Sequence, residues 1–356
     1  MNACLIANVI ALLILLIGQE LKIRRNLMPA AILFLICFYG IRQDYGNDFP
    51  AYKMWFEQSI RHSIDYFLVE VRNMEIGWVI LCRLFSFADF QLFVFFMTIV
   101  QFSIVGWFIS KYCPPAYRVF VLALYLFWPS LMVIGLSMMR QTLAMGIVLL
   151  SVPWILKKKW IKATALILFA TLFHTSAYAA LPLVIFPWVA KWDYRWLLII
   201  FFTVLGIAVA VPKDIFRLFV LLTSSGDFER YSVYMTVSNV QTRFGFGYIF
   251  QLITAVYLIF ILKYKSTSHR FFVVSLLMNY MLSPITGAVG MVARLMYYYN
   301  LVGIVGIVPL VKRARTDAVA MILCIGFFFL IVLSFTRFFY EPIWTRKFLH
   351  YHTIFG

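Results

Sequence analysis

The sequence predicts an all-α, polytopic integral membrane protein, and three observations carry that prediction. Of 356 residues, 64% are hydrophobic and only 13% are charged, about half the charged fraction of a typical soluble domain. The charges gather in short clusters between apolar runs. Many of those runs approach the ~20 residues that a helix needs to cross ~30 Å of hydrocarbon.

Taken in order, the apolar runs are 2–18, 27–41, 90–110, 118–137, 141–156, 247–262, 271–290, 295–311 and 318–336, and the region 161–211 adds two or three more. They lack the polar alternation of a membrane β-barrel. The first run has no basic flank before it and no small-residue cleavage site after it, so it is read as a retained span. The cysteines Cys4, Cys37, Cys82, Cys113 and Cys324 show no metal-site or redox spacing, which argues against a disulfide framework and a zinc site.

A net charge of +17 would suit nucleic acid in a soluble chain, but in a membrane protein it reads as the positive-inside rule. Six short loops, ELKIRRN, SKYCPPAYR, KKKWIK, KWDYR, KYKSTSHR and KRARTD, hold 17 of the 31 Lys and Arg and 3 of the 14 acids. Placing them in the cytoplasm gives that side net +14 and the other side net +3. The N-terminus is then outside, and 42–89 becomes one long external loop. The run IGWVILCRLF within it, short and carrying Arg83, becomes an amphipathic or re-entrant helix. Residues 161–190 must go in and out as two halves of ~14 residues, each short for a span, with the turn at His174–Thr175–Ser176. A single long helix there would instead send 212–246 to the cytoplasm, unless DIFRLFVLLTSS also enters the membrane. The first solution is preferred: one integral membrane domain over 1–356, 11 to 13 membrane helices, and a second large external loop at 212–246.

This threading gathers polar residues on the external side: Arg42, Asp44 and Asp48 in the first loop, Arg140 at SMMRQ, His174 in ATLFHTSAY, Arg217, Arg230 and Arg243 in the second loop, and Arg294 at GMVARLMYYYN. Each has two readings. His174 with Thr175 and Ser176 is either a self-satisfied helix break or a functional group, because ionisable residues within membranes are costly and usually functional. Tyr178, four residues on, could orient the ring. Arg140 and Arg294 either snorkel to the interface or bind an anion, and Gln141 beside Arg140 tilts it towards function. Arg294 and Tyr298 share a helix face. Tyr297, Tyr298 and Tyr299 read as an interfacial aromatic belt, with sugar stacking as the alternative. DYGNDFPAY is an exposed turn, or it holds a base and its partner. Glu75 in NMEIGW suits the start of the short helix. His350 and His352 read as a terminal tail. All 14 acids lie outside the clear apolar runs, so no buried carboxylate is there to carry a coupling ion. Cations on one side without buried acids suit an anionic ligand.

DYGNDFPAY, NMEIGW, SMMRQTLA, LFHTSAY and ARLMYYYN occur in that order, and together they resemble the EpsG/Wzy-type family of bacterial polysaccharide polymerases, which includes O-antigen polymerases. The resemblance covers about 1–310. It is most specific in RQ-x-LA followed by FH-x-SA, and Arg42, Gly46, Asp48 and Tyr52 match the family's first-loop pattern. It implies a GT-C-like glycosyltransferase in the bacterial inner membrane. That enzyme would transfer a growing glycan from undecaprenyl diphosphate to an incoming lipid-linked repeat unit at the periplasmic face. The implied partners are the lipid-linked donor and acceptor, membrane lipids and a chain-length regulator protein, with no nucleic acid and no cofactor. On this reading Arg140, Arg294, Arg42 and Arg243 bind diphosphate, and Gln141, Ser176, Tyr178, Tyr298 and Tyr52 bind substrate. His174 is the candidate base, since imidazole titrates near neutrality, with Asp44 or Asp48 as competitors. His174 could instead bond the diphosphate. A diphosphate leaves without a general acid, and no paired acids argue for Mg²⁺, so catalysis is expected to be metal-independent. A lipid-linked oligosaccharide flippase is the alternative of another class, and an acyltransferase modifying surface glycans is a third.

Overall fold

The computed structural model describes residues 1–21, 26–67, 74–210, 246–262, 267–288 and 290–355. It is 82% helical, and the described strands are a single two-residue pair, so the all-α expectation holds. Five described helices are long and apolar enough to cross a membrane: Asn2–Glu20, Phe90–Tyr112, Met139–Leu156, Arg294–Arg313 and Ala318–Phe338. Six shorter apolar helices accompany them. Asn2–Glu20 and Ala318–Phe338 leave most of their surface uncovered, and what they show is Ile6, Leu13 and Ile17 on one and Ile322, Ile325 and Phe329 on the other. In hydrocarbon such faces need no protein cover. The proposed second external loop, 212–246, lies outside the described residues except for Phe246.

The chain divides into two compact units. The first comprises Met1–Ser151, Ala165–Thr175 and Phe328–Gly356. Within it, the described parts of the first large loop, 42–67 and 74–89, are largely helical. Phe49–Arg61 is a helix with Pro50 in its first turn, where a missing N–H costs nothing. Its face carries Tyr52 and Phe56 onto Trp78 and Phe93, at ring distances of 5.3 and 5.1 Å. Each aromatic pair contributes about 0.5–1.5 kcal/mol beyond its area. Ile76–Leu84 is a helix of nine residues, too short to span. Arg83 near its end reaches back to the Ser59 carbonyl at 2.9 Å. Asp89 then caps Phe90–Tyr112 by accepting from the Leu92 N–H at 2.8 Å, a bond worth about 1 kcal/mol.

The C-terminal segment belongs to this unit. Arg42–Gln43 pairs antiparallel with His352–Thr353, Arg42 opposite Thr353. Tyr351 stacks on Phe38 at 4.7 Å, and buried Phe348 meets Tyr45 at 5.2 Å. His350 and His352 thus lie in a docked tail.

The second unit comprises Val152–Thr164 and Ser176–Phe327. In the chain, the Trp160–Thr171 helix stops and a turn at Leu172–His174 follows. Thr175–Ile185 then continues as a 3₁₀ helix. The break expected in 161–190 is present, two residues earlier than the expected His174–Ser176. Eleven residues of 3₁₀ helix are unusual, since the tighter geometry rarely runs beyond three or four. Within the second unit this segment leans on the Gly290–Gly303 helix: the Tyr299 hydroxyl donates to the Ala179 carbonyl at 2.5 Å, and Phe186 stacks on Tyr299 at 5.8 Å.

Candidate functional site

The polar cluster of the first unit starts from backbone geometry. Gly46 has φ +110°, and a Cβ there would sit 2.8 Å from Ser137. Only glycine takes that conformation at that distance without strain. The Gly46 turn brings Asp48 to the segment before Arg140, where its N–H donates to Ser137 Oγ at 3.1 Å. One turn on, the Tyr52 hydroxyl accepts from the Arg140 N–H at 3.4 Å. The Arg140 guanidinium lies 5.9 Å from the Tyr52 ring centre. Gln141 beside it is buried.

Glu75 draws this together. Its Oε2 accepts from Arg140 Nη1 at 2.6 Å, with the two side chains 13% and 23% exposed. Its Oε1 accepts from the Thr175 N–H at 3.1 Å. Thr175 is the residue after His174, which is half-buried and holds its turn through an N–H bond to the Ala170 carbonyl at 3.2 Å. Arg140, Tyr52, Asp48, Gln141 and the His174 turn are therefore neighbours through Glu75, Ser137 and Thr175. Glu75 stood in the sequence only as a helix-start carboxylate. The one available signal was its place in NMEIGW, among the motifs of the resemblance.

The remaining candidates divide. Arg42 is 1% exposed. Its guanidinium donates to the Tyr39 carbonyl at 2.8 Å, to Thr98 Oγ1 and to the Leu136 carbonyl at 3.2 Å. Burial pulls it down to about 10, so it remains a cation at neutral pH, working as an internal tie. Asp44 adopts φ +47°, a conformation Asp tolerates, and its carboxylate accepts from Lys347 Nζ at 2.6 Å. In the second unit, Ser176 Oγ and the Tyr298 hydroxyl share a hydrogen bond of 2.9 Å. Tyr298 and Tyr299 are buried, so they brace the 3₁₀ segment and do not form the expected interfacial belt. Arg294 and Tyr298 do share one helix at i, i+4. Tyr178 is 55% exposed, and the 3₁₀ backbone removes the α-helical spacing that would have set it over His174. Arg217, Arg230 and Arg243 lie outside the described residues.

Three backbone-fixed segments thus present a half-buried guanidinium, a carboxylate that holds it and an imidazole-bearing turn. A half-buried guanidinium has the chemistry to bind an anion. No curated protein and no solved structure matches the chain. A family model does match, across residues 25–353 and so over all the segments that build this cluster, and the chain belongs to the EpsG family, a Wzy-like, polymerase-type family of membrane proteins.

Proposed function

We propose that the chain is a GT-C-like polysaccharide polymerase of the bacterial inner membrane that joins undecaprenyl-diphosphate-linked repeat units at the periplasmic face. Family membership supports the coarser statement: a multi-pass membrane protein with a polysaccharide polymerase-type, glycosyltransferase-like role. The observation that carries the finer one is Arg140. Glu75 occupies one Nη, and Nε is buried without a partner among the described residues. A buried N–H left unpaired costs about 1–3 kcal/mol. One edge of a planar, permanently charged fork is therefore left to offer, and a phosphate matches that fork.

In the proposed reaction the acceptor hydroxyl attacks the anomeric carbon of the donor glycan. The bond to the diphosphate oxygen breaks and its electron pair leaves on the lipid diphosphate. Arg140 stabilises that growing charge. His174 takes the hydroxyl proton, with Asp48 the competing base. Asp44 drops behind both because Lys347 holds it, and Arg42 drops behind Arg140 as a ligand because three protein acceptors take both of its Nη groups. Arg294 keeps its diphosphate role, and Gln141, Ser176, Tyr178, Tyr298 and Tyr52 keep substrate roles, as parts of this proposal. Metal independence, Arg243 and a chain-length regulator as partner also remain parts of it.

Surface-glycan length on a gel tests the reading. Arg140→Ala, at normal expression, should leave single repeat units outside the cell, a loss of ~30- to 1000-fold in polymerisation if ~2–4 kcal/mol of transition-state stabilisation goes. Normal long chains from Arg140→Ala would remove Arg140 from the site. Lipid-linked units trapped in the inner leaflet of a deletion strain would mark a flippase instead.

A further inference from the structure

Glu75 sits at the N-cap of Ile76–Leu84, where a short Ser, Thr, Asp or Asn side chain would accept from the first-turn N–H groups. It makes no such bond. The Gly77 N–H goes instead to the Leu172 carbonyl at 2.9 Å. A Cβ on Gly77 would stand 2.6 Å from that same oxygen, so the approach requires glycine. With the Gly77 N–H satisfied by backbone from the His174 turn, the Glu75 carboxylate is left to reach other segments. It meets Arg140, 65 residues on, through one oxygen and Thr175, 100 residues on, through the other. Both oxygens are committed to protein donors, which leaves the carboxylate unsuited to take a proton from a sugar.

We propose that Glu75, working with Gly77, is the positioning residue of the site. It aims the Arg140 fork and fixes the peptide that follows His174, so that anion binding and proton acceptance are set by one carboxylate. This rests on the polymerase reading above. A misplacement of about 1 Å can cost ~100-fold in rate, and the Glu75 bonds set the position of both groups.

The test uses full-length protein in detergent or vesicles with a synthetic lipid-diphosphate-linked repeat unit, the rate normalised to folded protein by thermal melting. Glu75→Gln keeps an acceptor for Thr175 but turns an amide towards Arg140. It should lower kcat/KM ~10- to 100-fold, with donor KM raised, kcat lowered and acceptor KM unchanged. Glu75→Asp, which keeps the charge but shortens the reach, should recover part of the loss, and it carries the test if the Gln variant does not insert. A purely structural pair would lower the folded fraction and leave the rate per folded molecule at the wild-type value, which overturns the inference. If Glu75→Gln is fully active while Arg140→Ala is dead, the inference falls and the polymerase reading stands. If both are active, the inference falls and Arg140 leaves the site; wild-type protein that transfers nothing from the lipid-diphosphate-linked unit would sink the polymerase reading itself.

Discussion

Two ion pairs in the first unit have the same length and opposite settings. Glu75–Arg140 and Asp44–Lys347 both close to 2.6 Å. The first is 13% and 23% exposed, the second 54% and 28%. Solvent screens the second pair and competes for its charges, and such pairs are typically worth 0–1 kcal/mol. The first has lost much of its hydration, so removing either partner strands a half-buried charge. Distance cannot rank the two; burial does. The ranking also separates their roles. The exposed pair holds the C-terminal tail to the first loop, whereas the buried pair holds the groups proposed to do the chemistry.

The largest expected effect contrasts the acids and the imidazole on either side of that divide. His174→Gln should fold and insert, because Gln can keep a hydrogen bond at the turn, yet it should lose ~100- to 10,000-fold in polymerisation. Asp44→Asn, which tolerates the same positive φ, should stay within about threefold of wild type, since screened surface charges contribute little. A dead Asp44→Asn with an active His174→Gln would reverse the assignment and move the base to the exposed pair.

Next in size are the pairs themselves, compared by double-mutant cycles on thermal unfolding. Glu75→Ala with Arg140→Ala should couple by ~1–3 kcal/mol, below the ~3–5 kcal/mol lost when a fully buried pair is broken. Asp44→Ala with Lys347→Ala should couple by ~0–1 kcal/mol. At 1 M salt, where the Debye length is ~3 Å, the second value should vanish and the first persist. Equal coupling energies would dissolve the comparison.

Gly77→Ala sharpens it from the backbone side. The added methyl meets the Leu172 carbonyl at 2.6 Å, so the His174 turn must move and carry Thr175 away from Glu75. A strained contact of this kind costs about 1–3 kcal/mol. The expected outcome is a lower melting temperature together with a loss of rate per folded molecule. A loss of stability alone would separate the turn from the chemistry.

Much of this was legible in the sequence, and the exceptions have physical causes. Apolar run length and loop charge are local properties, so the helical membrane class could be read directly. So could the short helix at Ile76–Leu84, from Arg83 and its length. Arg140 and His174 stood out because an ionisable group in an apolar stretch is costly wherever the chain goes. The internal bonding of Arg42 could not be read, because sequence gives its charge but not the two carbonyls and one hydroxyl that accept from its Nη groups. Glu75 was under-read for the converse reason. Its partners lie 65 and 100 residues away, and an acid at a helix start has an ordinary local explanation. The 3₁₀ course of Thr175–Ile185 had no sequence signature beyond Pro182, and it changed which residues face alike.

The smallest expected effect comes from a third acid, Asp317 in the second unit, which has many partners but whose ionic partner Arg313 is 55% exposed. Asp317 Oδ1 accepts from the Val319 and Ala320 N–H groups at 2.9 and 3.2 Å, and Oδ2 accepts from the Tyr257 hydroxyl and Arg313 Nε at 2.9 and 3.1 Å. The Ala320 N–H, the Tyr257 hydroxyl and Arg313 hold its carboxyl down at about 2. An ordinary Asp titrates near 4 when unfolded. A depressed carboxyl stabilises the folded state above that unfolded value, and the contribution fades as pH falls from about 4 through about 2. Asp317→Asn keeps an oxygen to cap the Ala318–Phe338 helix but cannot ionise. The melting gap between wild type and Asp317→Asn should therefore be level from pH 5 to 7, narrow below pH 4 and close near pH 2. It should stay smaller than the gap opened by Glu75→Ala, although Asp317 accepts more bonds. A gap that persists at pH 2 would mean that hydrogen-bond geometry, not charge, sets its worth. A gap larger than that of Glu75→Ala would mean that partner number, and not burial, ranks the ion pairs of this protein.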